Sequence, residues 1–321
     1  MKDGIGRTIE YLRISLTDKC NLRCKYCMPE CGVKHLAHDE ILTLEEISRL
    51  TNLLAKLGIK RVRITGGEPL VKKNVCKLIS DINQIDEIER ISLTTNGILL
   101  KDMSADLLSA GIDDVNISLD TLNREKYKEL TGEDNLSKVL DSIDCAIEMN
   151  LKPKINCVPM KEWNEDELAE IANLAHDKNI DVRFIELMPT KYGKQFTKID
   201  NKDVLEKLEE CFGKASLIEN SEGVNGPAKY YQFDGFNGRV GFISPISNNF
   251  CSSCNRIRLT PTGYLKLCLH QNDGADLKSL LRDGKSDEKI INVIKDAINK
   301  KPEAHNMMQN ADDTNMYRIG G

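Results

Sequence analysis

The sequence predicts an α/β fold, an incomplete (β/α)6 TIM-type barrel with a C-terminal extension, and three observations lead to that reading. Strand-like and helix-like runs alternate through the first 190 residues, and short strands separated by helices imply a parallel sheet with right-handed crossovers. On several of those strands every second residue is polar or charged, whereas a parallel sheet buried on both faces reads almost wholly apolar. The length of 321 residues suits one barrel of about 250 residues with an appendage. A doubly wound open sheet is the competing arrangement. The polar strand faces favour the barrel, because they fit a chamber wide enough for a ligand.

Taken in order, the first strand runs from Tyr11 to Leu16, with Leu12 and Ile14 on one face and Arg13 and Ser15 on the other. A helix follows from Thr43 to Leu57. Thr43 and Glu46 form a capping box, Leu44, Ile47, Leu50, Leu54 and Leu57 keep helical spacing, and Gly58 closes it. The second strand, Ile59 to Thr65, alternates Arg61, Arg63 and Thr65 with Val62 and Ile64. Further strands are expected at Arg90 to Thr94, Gly111 to Ser118, Asn150 to Val158 and Asn179 to Leu187; their polar positions include Asn116, Ser118, Lys154 and Asn156. After Pro189 the pattern stops. A helix around Val204, Leu208 and Phe212, a Gly- and Asn-rich loop from Glu219 to Gly226, and strands at Ala228 to Phe233 and Arg239 to Ser244 follow. The division therefore falls at residues 1–190 for the barrel and 191–321 for the C-terminal region.

Barrel sites gather at the carboxyl ends of the strands. Here those ends carry Cys20 to Cys27, Thr65-Gly66-Gly67-Glu68-Pro69, Thr94 to Gly97, Ser118 to Asp120 and Glu186 to Pro189. The net charge of −5 with no basic block gives no support for nucleic-acid binding. Charge distribution is more informative. From Gly235 to Asn272 there is no Asp or Glu, where the chain's share of 50 acids predicts about six. An anionic ligand held beside Arg239, Arg256, Arg258 and Lys266 accounts for that gap. Eleven cysteines in a chain with no apolar h-region and no membrane-length apolar run point to a cytoplasmic protein that uses thiols for metal or catalysis rather than disulfides. Cys145, Cys157 and Cys211 sit among apolar neighbours and are expected in the core.

Cys20, Cys24 and Cys27 form a C-x3-C-x2-C run. Three thiolates at this spacing can hold three corners of a cubane iron–sulfur cluster and leave its fourth iron open for a small molecule. A zinc knuckle is the alternative, but it wants four ligands, and the nearest histidine, His35, stands at an unusual spacing. The run, with Tyr26 before its last cysteine, resembles the signature of the radical S-adenosylmethionine (SAM) enzymes. That resemblance implies that SAM chelates the open iron and is cleaved by one electron to a 5′-deoxyadenosyl radical, and that the GGEP turn at Gly66 to Pro69 meets the methionyl amino group.

Cys251, Cys254 and Cys268 form a second three-cysteine group inside the acid-free segment, with only His270 near as a fourth zinc ligand. Arg256 and Arg258 lie two apart, so on a strand they share a side, and guanidinium forks match phosphate oxygens. The group reads as a second open cluster beside a substrate site. Together with LRISLTDKCNLRCKYCMP, RITGGEPL, TTNGILL, NISLDTL, FIELMP, GPAKYY, CSSCNRIRLTPTGYLKLCL and a closing Ile-Gly-Gly, the chain resembles the GTP 3′,8-cyclase family of molybdenum-cofactor biosynthesis nearly end to end. The resemblance implies two 4Fe–4S clusters, on Cys20, Cys24 and Cys27 and on Cys251, Cys254 and Cys268. It implies SAM contacts at Tyr26, Gly67, Ser118 and Met188, and GTP contacts at Arg13, Arg63, Thr94, Lys154, Arg256, Ile257 and Arg258. Candidate catalytic residues beyond the cluster ligands are Arg13, Lys154, Gly320 and Gly321, the last two as a tail that enters the site. Implied partners are an external one-electron donor and the downstream cyclic pyranopterin monophosphate synthase, for a monomer or homodimer. A peptide-modifying radical SAM enzyme and a non-catalytic two-cluster redox protein are the competing functions.

Overall fold

The computed structural model describes residues 1–29, 31–218, 226–305 and 316–319. The expected Gly- and Asn-rich loop, apart from Gly226, and the tail residues Gly320 and Gly321 lie outside these. Six parallel strands lie side by side in chain order: β1 (Tyr11–Ser15), β2 (Arg61–Thr65), β3 (Arg90–Thr95), β4 (Asp114–Ser118), β5 (Lys154–Cys157) and β6 (Asp181–Ile185). Helices α1 (Leu44–Ala55), α2 (Val75–Asn83), α3 (Leu100–Ala110), α4 (Arg124–Thr131), α5 (Leu136–Glu148) and α6 (Leu168–Asp177) fall in the connections. The expected α/β barrel architecture is therefore present, and it is extended at both edges.

Beyond the barrel come α7 (Asn201–Phe212), β7 (Ser216–Leu217), β8 (Lys229–Gln232), β9 (Val240–Ile243), β10 (Arg256–Leu259), β11 (Tyr264–Lys266), β12 (Gly274–Asp276), α8 (Leu277–Arg282) and α9 (Asp287–Asn299). β9 joins β6 in parallel, and β10 joins the opposite edge, parallel to β1. Antiparallel β8 and β7 continue outward from β9, and β11 and β12 from β10, giving one twelve-stranded sheet. A single core runs through both regions, from Leu12, Ile64 and Val115 to Ile257, Leu265 and Ile294.

Local chemistry sets the element ends. The α1 capping box forms as its sequence predicts: Glu46 N–H donates to Thr43 Oγ1 at 3.2 Å and Thr43 N–H to the Glu46 carboxylate at 2.8 Å. Gly58 takes φ +99°, and a Cβ there would stand 2.8 Å from the N-terminal nitrogen of Met1. β5 begins later than expected because Asn150 and Lys152 adopt φ of +56° and +46°, ending α5 in a turn rather than an extended run. Cys157 is in the core, whereas Cys211, expected there, is exposed on the last turn of α7. Among the described residues no helix is long and apolar enough to cross a membrane.

Candidate active site

Strand alternation sends the apolar residues of β1 and β2 outward to the helices, Leu12, Ile14, Val62 and Ile64 being fully buried. Their polar partners turn inward and line a chamber of about 950 Å³, large enough for a sizeable ligand. Pairing brings Arg258, Arg13 and Arg63 into one cross-strand row, because Arg13 stands opposite Arg258 on β10 and opposite Arg63 on β2. The row continues through Ser92 to Asp114. Like charges directly opposite each other on neighbouring strands are destabilising. Burial first, and then Arg256, pull the Arg258 pKa down to about 10. Arg13 is held well below its ordinary value by burial and by Arg258.

Asp114 is the main counter-charge. Its carboxylate accepts from Arg90 at 2.8 Å and Ser92 at 3.0 Å, and Lys154 Nζ and Arg63 Nη2 stand 3.7 and 4.0 Å away. Arg63 also donates to Thr94 Oγ1 at 3.3 Å and to the Tyr11 hydroxyl. Eleven Lys and Arg residues line the chamber against three Asp and Glu, leaving eight cationic charges in excess. Thus the structure brings Arg13, Arg63, Thr94, Lys154, Arg256 and Arg258 together on one wall system. Ile257 differs: lying between two inward arginines, it turns to the opposite face and is fully buried in the core. Arg183, which donates to Asn116 Oδ1, and Tyr11 also line the chamber. Sequence reasoning passed over both, although each occupies an inward position on its strand.

The first cysteine group follows the carboxyl end of β1. Arg23 N–H and Lys25 N–H donate to Thr131 and Leu130 carbonyls at the end of α4, and Arg23 Nη1 donates to the Cys20 and Leu22 carbonyls at 2.8 Å. The GGEP turn is laced to the chain just before Cys20: Gly67 N–H reaches Thr17 O at 2.6 Å and Glu68 N–H reaches Lys19 O at 2.8 Å. A Cβ on Gly67 would lie 2.2 Å from Lys19 O, so glycine is required there. The buried Glu68 carboxylate accepts from Leu70 N–H, Asn96 N–H and Thr95 Oγ1, and burial pushes its pKa up to about 7. It ties the ends of β2 and β3 to the cysteine loop, where Asn96 Nδ2 donates to Asn21 Oδ1.

Tyr26 donates to Asp120 at 2.7 Å, and Asp120 in turn accepts from Val158 N–H. Burial pushes Asp120 up to about 6. Tyr26, Ser118 and Cys24 share a small cavity of about 30 Å³, whereas Met188 faces the large chamber and Gly67 sits in its turn. Sequence reasoning placed Glu68 and Asp120 on this rim, three residues beyond the end of β2 and two beyond the end of β4 respectively, but gave neither a role.

Both cysteine groups fit the cluster chemistry their spacing suggests. All eleven cysteines are free. Burial raises Cys20 to about 11 and Cys27 to about 12, and Cys24 is raised by burial and by its two neighbours. Thiolates in such a place need bound positive charge, which iron supplies. No three or more His, Cys, Asp and Glu among the described residues are placed to hold a single metal ion, and His35 lies beside Asp18 instead, at 3.5 Å. Cys251, Cys254 and Cys268 all line the chamber. Cys254 is half-buried, yet Lys301, the Arg256 backbone N–H and the neighbouring arginines outweigh desolvation and lower its pKa. His270 lines the same wall and packs edge-on to His305, 5.8 Å between rings.

The two groups lie at opposite ends of the strands. Cys20 to Cys27 follow the carboxyl end of β1, while Cys254 precedes the amino end of β10, which runs parallel to β1 with Arg256 level with Tyr11. Strand rise separates the two levels by on the order of 15 Å. The cationic row lies between them.

Comparison with known proteins agrees with this geometry. Residues 14–175 match the radical SAM superfamily, and residues 180–307 match the Molybdenum Cofactor Synthesis C family. The structure of Streptococcus suis SuiB bound to S-adenosylmethionine superposes with a TM-score of 0.63 over 92% of this chain and 68% of that one, at 14% identity, a likeness of fold. A GTP 3′,8-cyclase of Clostridium perfringens is 48% identical, and one of Syntrophomonas wolfei 45%, each over the full length of both chains. Molybdenum cofactor biosynthesis protein 1 of Drosophila melanogaster is 39% identical over 95% of this chain and 54% of its own. With two three-cysteine groups flanking a cationic chamber, and with identity of this order from end to end, the chain belongs to the GTP 3′,8-cyclase family of radical SAM enzymes.

Proposed function

We propose that this protein is a radical SAM lyase that converts GTP to (8S)-3′,8-cyclo-7,8-dihydroguanosine 5′-triphosphate, the first step of molybdenum cofactor biosynthesis. The observation that carries the reading is the row Arg258, Arg13 and Arg63, set between two groups of three free cysteines at opposite ends of one parallel sheet. Such a row needs an anion, and a nucleoside triphosphate reaching from one cysteine group toward the other provides it.

When bound, SAM and the two 4Fe–4S clusters supply the electron and the 5′-deoxyadenosyl radical that removes hydrogen from ribose C3′. The chain's own residues do the rest. Cys20, Cys24 and Cys27 hold one cluster, and Cys251, Cys254 and Cys268 the other, which faces the guanine. Tyr26, Gly67, Ser118 and Met188 hold SAM. Arg13, Arg63, Thr94, Lys154, Arg256 and Arg258 orient the triphosphate and ribose so that C3′ and purine C8 stay close. The role the sequence suggests for Gly320 and Gly321 falls on residues outside those described. In this scheme residues 1–190 form the radical SAM barrel, which also supplies part of the GTP wall, and residues 191–321 the auxiliary-cluster region with the rest of the substrate contacts. An external one-electron donor and a downstream cyclic pyranopterin monophosphate synthase complete the cytoplasmic route.

The test is anaerobic incubation of the iron-loaded, reduced protein with SAM and GTP deuterated at C3′. Deuterium in 5′-deoxyadenosine together with the cyclised triphosphate is expected. SAM cleavage without cyclised product would instead point to a peptide-modifying enzyme, and no cleavage to a redox protein.

A further inference from the structure

Lys301 follows α9 and is only 5% exposed. Its ammonium donates to the backbone carbonyls of Arg256, at 2.9 Å, and Leu267. Arg256 lies two residues after Cys254, and Leu267 directly precedes Cys268. Among the described residues Lys301 forms no ion pair with a carboxylate. A buried ammonium without counter-charge is costly, and this one lines the chamber wall. Arg7 fixes the backbone beneath it: Nη2 donates to the Lys301 and Pro302 carbonyls at 3.3 and 2.7 Å, and Nη1 to Glu303 O at 3.1 Å and Cys251 O at 2.8 Å. Arg7 is itself neutralised by buried Asp3 at 2.6 Å. The segments bearing all three C-terminal cysteines therefore converge on the Arg7–Lys301 pair, and Lys301 alone keeps an uncompensated charge.

We infer that Lys301 is the built-in counter-charge of the C-terminal cysteine site, a positioning residue whose ammonium is held beside the Cys254 and Cys268 segments by two backbone carbonyls. The inference rests on the reading above that this triad carries a cluster. It has a signature that an ordinary structural lysine lacks. Without iron the charge is a burden to the fold; with a cluster of anionic thiolates it becomes compensated.

The experiment compares the full-length protein with Lys301→Met, Lys301→Arg and Cys268→Ala, each as apoprotein and after anaerobic reconstitution. Iron per chain, the electron paramagnetic resonance of the reduced clusters, the reduction potential of the C-terminal cluster and the melting temperature of the apoprotein are measured. Lys301→Met is expected to lose up to half the iron, all from the C-terminal site. Any cluster it retains there should have a more negative potential, because a positive charge that stabilised the reduced state is gone. Its apoprotein should melt no lower than the unsubstituted one, and Lys301→Arg should retain both iron and potential. If Lys301→Met keeps full iron and an unchanged potential while Cys268→Ala loses iron, this inference alone is overturned. It is also overturned if the Lys301→Met apoprotein unfolds or melts lower, which would make the lysine a structural clamp. Unchanged iron in Cys268→Ala overturns the cluster assignment and this inference with it.

Discussion

Arg258→Met removes one charge from the β10 end of the cationic row and keeps most of the side chain's length. Arg258 is 9% exposed, and its Nε has no hydrogen-bond partner among the described residues. Its pKa falls to about 10, well below the usual guanidinium range, which corresponds to about 3 kcal/mol of unfavourable charge burial and repulsion. A phosphate oxygen placed against it relieves part of that stress. A hydrogen bond to a charged group is worth about 1.5–3 kcal/mol on its own account. Either route leads to a loss of about ten- to a hundredfold in GTP affinity for Arg258→Met. The assay is anaerobic equilibrium dialysis of the cluster-loaded protein with GTP, guanosine and SAM, each measured separately. Guanosine and SAM should change by less than about threefold, since neither presents a phosphate to this wall. Equal losses for GTP and guanosine would refute the reasoning, because the arginine would then act on the base or on the fold. Unchanged GTP affinity would remove the phosphate assignment altogether.

The two cysteine groups should separate functionally. Cys20→Ala, Cys24→Ala or Cys27→Ala should abolish SAM cleavage, while Cys251→Ala, Cys254→Ala or Cys268→Ala should leave some uncoupled 5′-deoxyadenosine formation and end cyclisation; equal loss in both sets would show that the roles are not distinct. Gly67→Ala drives a methyl into Lys19 O and should displace the loop before Cys20, costing about 1–3 kcal/mol together with iron at the first site; a variant with full iron and SAM binding would show that the turn yields at no cost. Burial pushes the Glu68 pKa up to about 7 from the ordinary 4.5 of a glutamate, so the folded state binds the extra proton between those values. Its contribution to stability is fully present below about pH 4.5 and is lost as pH rises through about 7, about 3 kcal/mol in all. In urea unfolding of the apoprotein, Glu68→Gln should therefore gain on the unsubstituted chain from pH 5 to pH 8, and a constant difference between the two would contradict this.

Much of the barrel was legible because a strand's period of two is a local property. Arg13 beside Leu12 and Ile14, or Arg63 between Val62 and Ile64, tells which face is inward without knowledge of any partner. Spacing alone likewise marked Cys20, Cys24 and Cys27. Long-range pairing left no such trace. Nothing around Arg258 says that β10 will dock parallel to β1 and set that arginine opposite Arg13. Glu68 and Asp120 were placed on the rim but given no role, for a related reason. Each looks like a turn residue until its partners are known, and those partners, Thr95 and Asn96 for one and Tyr26 and Val158 for the other, lie far along the chain. Lys301 is the extreme case, one lysine among many in a polar helix end, singled out only by burial. Cys211 failed in the other direction, since apolar neighbours on an amphipathic helix do not fix which side a residue faces.

The return of the C-terminal region to both edges of the barrel links fold to chemistry. A six-stranded parallel barrel leaves two open edges, each a row of unpaired backbone groups. One extension supplies β9 to the β6 edge and β10 to the β1 edge. The segment between β9 and β10 therefore passes from one edge to the other, and it carries Pro245, Phe250 and Cys251 of the chamber lining. Glu186, at the end of β6, anchors its start by accepting from the Ile246 and Ser247 amides at 2.9 and 3.0 Å. Arg256 stacks over Phe250, 5.0 Å from the ring centroid, at its close. The element that covers the exposed edges is thus also the one that brings the second cysteine group to the chamber. A radical formed inside must be kept from water and stray hydrogen donors, and the crossing segment supplies part of the wall that encloses the chamber.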